Sequence, residues 1–275
     1  MIWTIQQLLE ATQGQLVRGS RTAAMREVSI DSRRLKAGDV FVAIRGHRFD
    51  GHRFVEQAAH QGASGLIVSQ MHQPTNGSTS LPTILVEDTT EALGDLARFH
   101  RRRLARPVVA VGGSCGKTTT KELIAHLLGD AGTILKTDGT QNNQFGVPLT
   151  LLRMTEAHQQ AVVELGTNHP GEIAYLASIV EPDVALVTNV GPEHLEFFGS
   201  LLEVLHEELS LLESLSPQGT VILPGDQLDV CLEAQRYLAP HVRVVTFGST
   251  DRCDIQAQDI RRTEQGMAIR LRDHV

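Results

Sequence analysis

Apolar residues in this chain fall into two patterns, short unbroken runs and longer stretches with apolar positions three and four apart. The first reads as buried strands and the second as amphipathic helices. Thr4–Thr12 carries Ile5, Leu8 and Leu9 at helical spacing and is stopped near Gly14. Val28–Ile30 and Val40–Ile44 predict short strands, separated by Asp31-Ser32-Arg33-Arg34 and a turn at Gly38-Asp39. The glycine- and histidine-rich Gly46–Phe54 leads into a helix closing near Gly62. Ala63–Val68 and Thr83–Val86 predict further strands, with the polar Gln70–Ser80, carrying Pro74, Asn76 and Gly77, as a surface loop between them. Thr89 or Thr90 caps a helix that runs to about Arg103, and Arg106-Pro107 ends the segment. The expected division is therefore a small α/β unit over 1–105 and a second unit over 106–275.

From Pro107 onward strand and helix alternate regularly, which predicts a parallel α/β sheet. Val108–Val111, Ala161–Leu165 and Val184–Val190 are its inner strands. Ser200–Leu215 is a helix with Leu201, Val204, Leu205, Leu211, Leu212 and Leu215 on its apolar face. Glu208 interrupts that face, because the residues three and four positions away are all apolar, whereas Glu207 falls toward the polar edge. Beyond Gly219 the pattern predicts a strand at Val221–Leu223, a helix at Gln227–Leu238 and a strand at Val242–Phe247. Ile255–Ile260 and Met267–Leu271 form a hairpin around Glu264-Gln265-Gly266.

Composition narrows the class. At 275 residues, 41% hydrophobic and 21% charged, the chain has the makeup of a globular protein of about two domains. A formal charge of −7 argues against nucleic acid as the partner, and Arg101-Arg102-Arg103 reads as a solvated helix end. Cys115, Cys231 and Cys253 have no metal-ligand spacing, which suits a reducing compartment. No stretch is long and apolar enough to span a bilayer, so the expectation is a cytoplasmic protein without membrane insertion, acting as a monomer.

The chemistry concentrates where the first inner strand ends. Gly112, Gly113 and Gly116 allow a tight turn whose amides converge on an anion, Lys117 supplies a point charge for a phosphate, and Thr118 offers a hydroxyl to Mg²⁺. A helix starting about Thr119 adds its dipole. The match is to a shortened phosphate loop, Gly113-Ser114-Cys115-Gly116-Lys117-Thr118, since Val111 stands where the longer pattern has glycine. ATP is the expected ligand. Cys115 within the loop reads as an oxidation liability rather than a nucleophile. Glu164 and His194 lie beyond the carboxyl ends of the other two inner strands, where ligands of open α/β sheets collect, and are candidate metal ligands. Glu208 reads either as the edge of a helix whose register is slightly different or, the favoured reading, as a carboxylate directed at a cation in the same site.

These motifs, in this order, resemble the Mur ligases, ATP-dependent amide ligases of peptidoglycan precursor synthesis, over almost the whole chain. Asp31-Ser32-Arg33, Gly38–Ile44 and Asp50-Gly51-His52 resemble the family's uridine-nucleotide-binding domain, and Gly113–Lys121 its phosphate loop. Asn142–Leu152 and Glu164–Ile173 favour the MurF-type branch, and Asn189 through Ser200 completes the match. The resemblance implies that ATP phosphorylates the carboxylate of UDP-N-acetylmuramoyl-tripeptide and that D-alanyl-D-alanine attacks the acyl phosphate. It implies phosphate-binding roles for Gly113, Ser114, Cys115, Gly116, Lys117, Thr118, Thr119 and Asn189. It implies substrate contacts for Ser32, Arg33, Gly46, Asp50, His52, Asn142 and Asn143, and Mg²⁺ ligation by Thr118, Glu164 and His194. Glu208 falls where most of the family has a carbamylated lysine, so it is expected to supply that negative charge itself. Thr140, Ser210 and Pro224 also depart from the common pattern, and the family's third domain has no counterpart in these residues. Two other readings stay open: a sibling ligase of the MurE type, and a non-catalytic module that binds nucleotide or UDP-muramoyl peptide.

Overall fold

The computed structural model describes residues 2–21, 24–46, 49–71, 81–264 and 266–273. The chain divides into two units, Met1–Leu104 with Leu151–Thr155, and Ala105–Thr150 with Glu156–Val275. In the first unit the elements are β1 (Trp3–Thr4), α1 (Ile5–Thr12), β2 (Gln15–Arg18), β3 (Ala24–Met25), β4 (Val28–Ser29) and β5 (Val40–Val42). A 3₁₀ turn at Gly51–Phe54 follows, then α2 (Val55–His60), β6 (Gly65–Val68), β7 (Thr83–Leu85) and α3 (Thr89–Leu104). Five strands pair in the order β2-β7-β6-β5-β4, parallel except for β2 against β7.

Both faces of this sheet are covered, and its strands therefore read as continuous apolar runs. Val40, Val42 and Ile67 point to one core with Trp3, Ile5, Leu8 and Leu96. Their neighbours Phe41, Ala43, Leu66 and Val68 point to the other, with Val55 and Ala58 of α2. Each fully buried valine or leucine here contributes roughly 1.5–3 kcal/mol. Thr4 caps α1 by a reciprocal bond pair with Gln7. Neither Thr89 nor Thr90 caps α3. Asp88 does so, its Oδ1 accepting from the amides of Thr90 (2.6 Å) and Glu91 (3.1 Å). Arg101, expected to be solvated, is buried, whereas Arg102 and Arg103 are exposed. Most of the expected loop Gln70–Ser80, from residue 72, lies outside the described residues.

The second unit contains β8 (Val108–Gly112), α4 (Lys117–Gly129), β9 (Ile134–Lys136), α5 (Gly146–Leu152, whose end belongs to the first unit), β10 (Gln160–Glu164) and α6 (Glu172–Val180). Next come β11 (Val184–Val187), α7 (Leu195–Phe198) and α8 (Leu201–Leu209), the last continued as a 3₁₀ turn over Ser210–Ser214. The chain then forms β12 (Thr220–Pro224), α9 (Leu228–Ala234), β13 (Arg243–Gly248), β14 (Ile255–Thr263) and β15 (Gly266–Asp273). The sheet order is β15-β14-β13-β12-β11-β8-β10-β9, parallel but for the β14–β15 hairpin. The expected helix over Gln227–Leu238 is shorter, and the hairpin strands are longer than their apolar cores. β9, α5 and α6 were not anticipated from the pattern. Their runs are short, and the helices are only seven and nine residues long.

What matters for the site is register. Glu164 pairs alongside Val111, and Val187 alongside Gly112, so the carboxyl ends of β8, β10 and β11 finish level. Between them the chain leaves β8 for the edge strand β9 before returning to β10, then crosses to β11. Such a reversal opens a crevice beyond the strand ends.

Candidate nucleotide-phosphate site

β8 ends in a glycine loop that only glycine can form. Gly113 has φ +109°, and a Cβ there would lie 2.3 Å from Thr188 Oγ1 and 2.8 Å from Asn189 O. Gly116, at φ +86°, is the N-cap of α4. The segment after β11 braces the loop from the side. Asn189 O accepts from the Ser114 amide (2.8 Å), Asn189 Oδ1 accepts from the Cys115 amide (3.2 Å), and Asn189 Nδ2 donates to Cys115 O (2.8 Å). Ser114 Oγ donates to Gly191 O and accepts from its amide. These two side chains, expected to face phosphate, instead hold the loop in shape. Cys115, Gly116 and Thr119 are exposed, and the first amides of α4, from Lys117 on, have no acceptor within the helix. Lys117 Nζ donates to Gly113 O (2.5 Å) and lies 3.9 Å from Glu193 Oε2. A cation, convergent amides and a helix dipole thus meet at one exposed point.

Two acidic groups flank it. In the first, Glu164 is buried at the end of β10, and its Oε1 accepts from Thr118 Oγ1 (3.1 Å) and Asn142 Nδ2 (2.9 Å). Lys121, with no exposed surface, donates through Nζ to Thr137 O (2.9 Å) and Gly139 O (3.0 Å) and stands 3.7 Å from Glu164 Oε2. In the second, Glu208 Oε2 accepts from the Gly113 amide (2.5 Å), and the Glu193 carboxyl lies beside it. Complete burial pushes the Glu208 carboxyl well above the ordinary carboxylate range. Lys117 and the Gly113 amide oppose this, and Glu193 reinforces it.

The predicted metal ligands are only partly brought together. Thr118 touches Glu164, while Glu208 sits with Glu193 and Lys117. His194, half-buried at the start of α7 with φ +45°, makes no side-chain hydrogen bond to either group among the described residues. Among those residues no three His, Cys, Asp or Glu side chains are arranged as a ready metal cage. The donors nevertheless fit a hard cation: Glu164 Oε2, Glu193 Oε1 and Glu208 Oε1 are buried oxygens without a hydrogen-bond partner.

Other expectations need correction. Glu207 does not lie at a polar edge; it is buried, and its carboxylate accepts from Thr167 Oγ1, Gly171 N and Ile173 N. Asn143 spends its carbonyl capping α5 through the amides of Phe145 and Gly146. In the first unit Ser32 is buried against Gln57. His52 is buried with both ring nitrogens used, Nδ1 on Asp50 Oδ1 (2.6 Å) and Nε2 accepting from the Ser69 amide (3.0 Å). Neither ring nitrogen is left for a ligand. Arg33 is exposed but paired with Asp31, and it holds that carboxyl down at about 2; Gly46 is exposed. Lys121, Thr137 and Glu193 were not singled out as site residues, and the one signal available was the second lysine of Gly116–Lys121.

A phosphate loop at the carboxyl edge of a parallel sheet, with carboxylates and a buried lysine around it, defines a nucleotide-binding α/β protein. Residues 111–274 match the Mur ligase middle domain, and residues 25–101 match the Mur ligase family catalytic domain. The chain belongs to the Mur ligase family. It is 38% identical over 271 residues to the UDP-N-acetylmuramoyl-tripeptide–D-alanyl-D-alanine ligase of Haemophilus influenzae, covering 96% of this chain and 57% of that protein. The crystal structure of MurF from Acinetobacter baumannii superposes with a TM-score of 0.88 at 35% identity, over 99% of this chain and 59% of that one. MurF ligase from Thermotoga maritima in complex with ADP gives 0.81 at 32% identity, over 91% and 56%. The chain thus spans a little over half the length of these relatives.

Proposed function

We propose that this chain carries the nucleotide- and UDP-substrate-binding parts of an ATP-dependent amide ligase of peptidoglycan precursor synthesis, joining D-alanyl-D-alanine to UDP-N-acetylmuramoyl-tripeptide. The observation that carries the reading is the braced loop Gly113–Lys117 level with buried Glu164, within a chain 38% identical to a ligase of that name. In this reading the γ-phosphoryl of ATP passes to the tripeptide carboxylate, breaking the bond to ADP and forming an acyl phosphate. The amine of D-alanyl-D-alanine then attacks that carbonyl, and phosphate leaves. Lys117 exchanges its bond to the Gly113 carbonyl for the phosphates, and the first amides of α4 orient them. Thr118, Glu164 and Glu208 are the residues that would hold Mg²⁺, with Glu193 beside them and His194 as the further candidate. The ion supplies neutralisation of charge on the transferring phosphoryl group. Arg33 and Gly46 remain the accessible candidates for the uridine nucleotide, whereas Ser32 and His52 are buried. We further propose a cytoplasmic monomer; no helix among the described residues is long and apolar enough to cross a membrane.

The test is phosphate release with Mg-ATP, UDP-N-acetylmuramoyl-tripeptide and D-alanyl-D-alanine, each omitted in turn, in the native chain and in Lys117→Ala. Release requiring all three and lost in Lys117→Ala is the expected result. Release independent of the peptide substrates would refute the ligase reading.

A further inference from the structure

Two consecutive side chains of α8 end on the backbones of two different loops. Glu208 reaches the Gly113 amide of the phosphate loop (2.5 Å). Glu207 Oε1 accepts from the Ile173 amide (2.8 Å) and Thr167 Oγ1 (3.1 Å), and its Oε2 accepts from the Gly171 amide (2.7 Å). The donors lie 34 to 40 positions away in sequence, so this is a tertiary grip rather than a local cap. Nothing smaller than a carboxylate does the same work. Both oxygens must accept, and a glutamine offers only one acceptor.

The gripped loop is the one that leaves Glu164. Its first part is tied back to the first acidic group, since the Gly166 amide donates to Asn142 O and Asn142 Nδ2 holds Glu164. Its middle is held locally by Glu172, whose Oε2 accepts from the amides of Asn168 (2.7 Å) and His169 (3.2 Å), and His169 packs on Phe197 with ring centroids 4.5 Å apart. Glu207 is the side chain that holds its far end, through the amides of Gly171 and Ile173, and it also takes the Thr167 hydroxyl near the start. We infer that Glu207 is a positioning residue which, with Glu208, makes the end of α8 a fixed spacer between the phosphate loop at Gly113 and the loop that follows Glu164. The inference rests on the nucleotide reading of this site.

The test combines residue-resolved amide hydrogen exchange with Mg-ADP titration of the full chain, as native protein, E207A and E207Q, with thermal unfolding as the control for folding. In E207A the Gly171 and Ile173 amides exchange about tenfold faster, as the loss of one hydrogen bond apiece requires, while the Asn168 and His169 amides held by Glu172 do not change. In E207Q one of the two amides is released and the other stays protected, a split that general loosening does not produce. Mg-ADP affinity falls about fivefold in E207A, the equivalent of a single hydrogen bond, and recovers part of that in E207Q. Equal exchange in the three proteins would overturn the grip. Faster exchange with unchanged Mg-ADP affinity would overturn the spacer. A native chain that fails to take up Mg-ADP defeats the nucleotide reading instead, and the exchange pattern still decides the grip.

Discussion

Lys121→Met isolates one buried cation without opening a cavity, because methionine is close to lysine in length and fills the same channel. Lys121 has no exposed surface, donates to two backbone carbonyls at 2.9 and 3.0 Å, and faces Glu164 at 3.7 Å and Glu122 at 3.1 Å. Glu122 is half-exposed and can turn to water, so its share is small. Glu164 cannot, and without Lys121 it is a buried carboxylate supported only by Thr118, Asn142 and its own amide's bond to Thr137. Breaking a buried pair by removing one partner costs about 3–5 kcal/mol, and the two orphaned carbonyls of Thr137 and Gly139 fall within that range rather than adding to it. We expect the second unit to lose about that much stability in urea. The only tryptophan, Trp3, reports the first unit, so the change should be followed by far-ultraviolet circular dichroism with hydrogen exchange at Val162 and Glu164. A loss below about 1 kcal/mol, the size expected for an exposed pair, would refute the idea that Lys121 and Glu164 support each other as a buried pair at the strand end.

Asp226 accepts from the amides and hydroxyls of both Ser249 and Thr250, and these bonds hold its carboxyl well below the ordinary range. Its contribution is therefore present above the unfolded pKa and lost as pH falls through the lower folded value. Melting temperature should drop on acidification below about pH 4 and drop less steeply in Asp226→Asn, which starts less stable. Burial lowers the His100 pKa; Nε2 bonds Met154 O at 2.8 Å and Nδ1 is buried without a partner. Neutral His100 thus favours folding above the unfolded pKa, and stability of the first unit should fall as pH drops below about 6.5. Trp3 fluorescence during urea unfolding reads this unit, and the slope should flatten in His100→Gln. Asn143→Ala removes the cap of α5 and should cost about 1 kcal/mol by chemical denaturation.

What was legible in the chain was what local pattern determines. The runs Val108–Val111 and Ala161–Leu165 are buried strands, and the glycines and Lys117 are where a phosphate loop needs them. Glu208 was legible for a sharper reason: a carboxylate ringed by apolar residues at helical spacing is buried, and it has no exposed surface. The same periodicity failed for Glu207, one position earlier. It reports where a side chain leaves its own helix, and it carries no information that the amides of α6 arrive there. At Ser32, His52 and Asn143 the motif likewise hides the partner that each has within its own chain. Polar residues in a motif read as ligand contacts, whereas each satisfies a buried partner of its own chain. Lys121 and Thr137 become a pair only because β9 is laid beside β10, and a strand of three residues leaves too faint a pattern to predict.

Asn189 has a consequence for the kinetics of nucleotide capture. Because it fixes the Ser114 and Cys115 amides to its own backbone and side chain, the loop is rigid before any phosphate arrives. The conformational entropy of that segment is surrendered when the chain folds and not when ligand binds. Uptake of ADP at this loop should therefore be a single diffusive step, with selectivity residing in how quickly the nucleotide leaves.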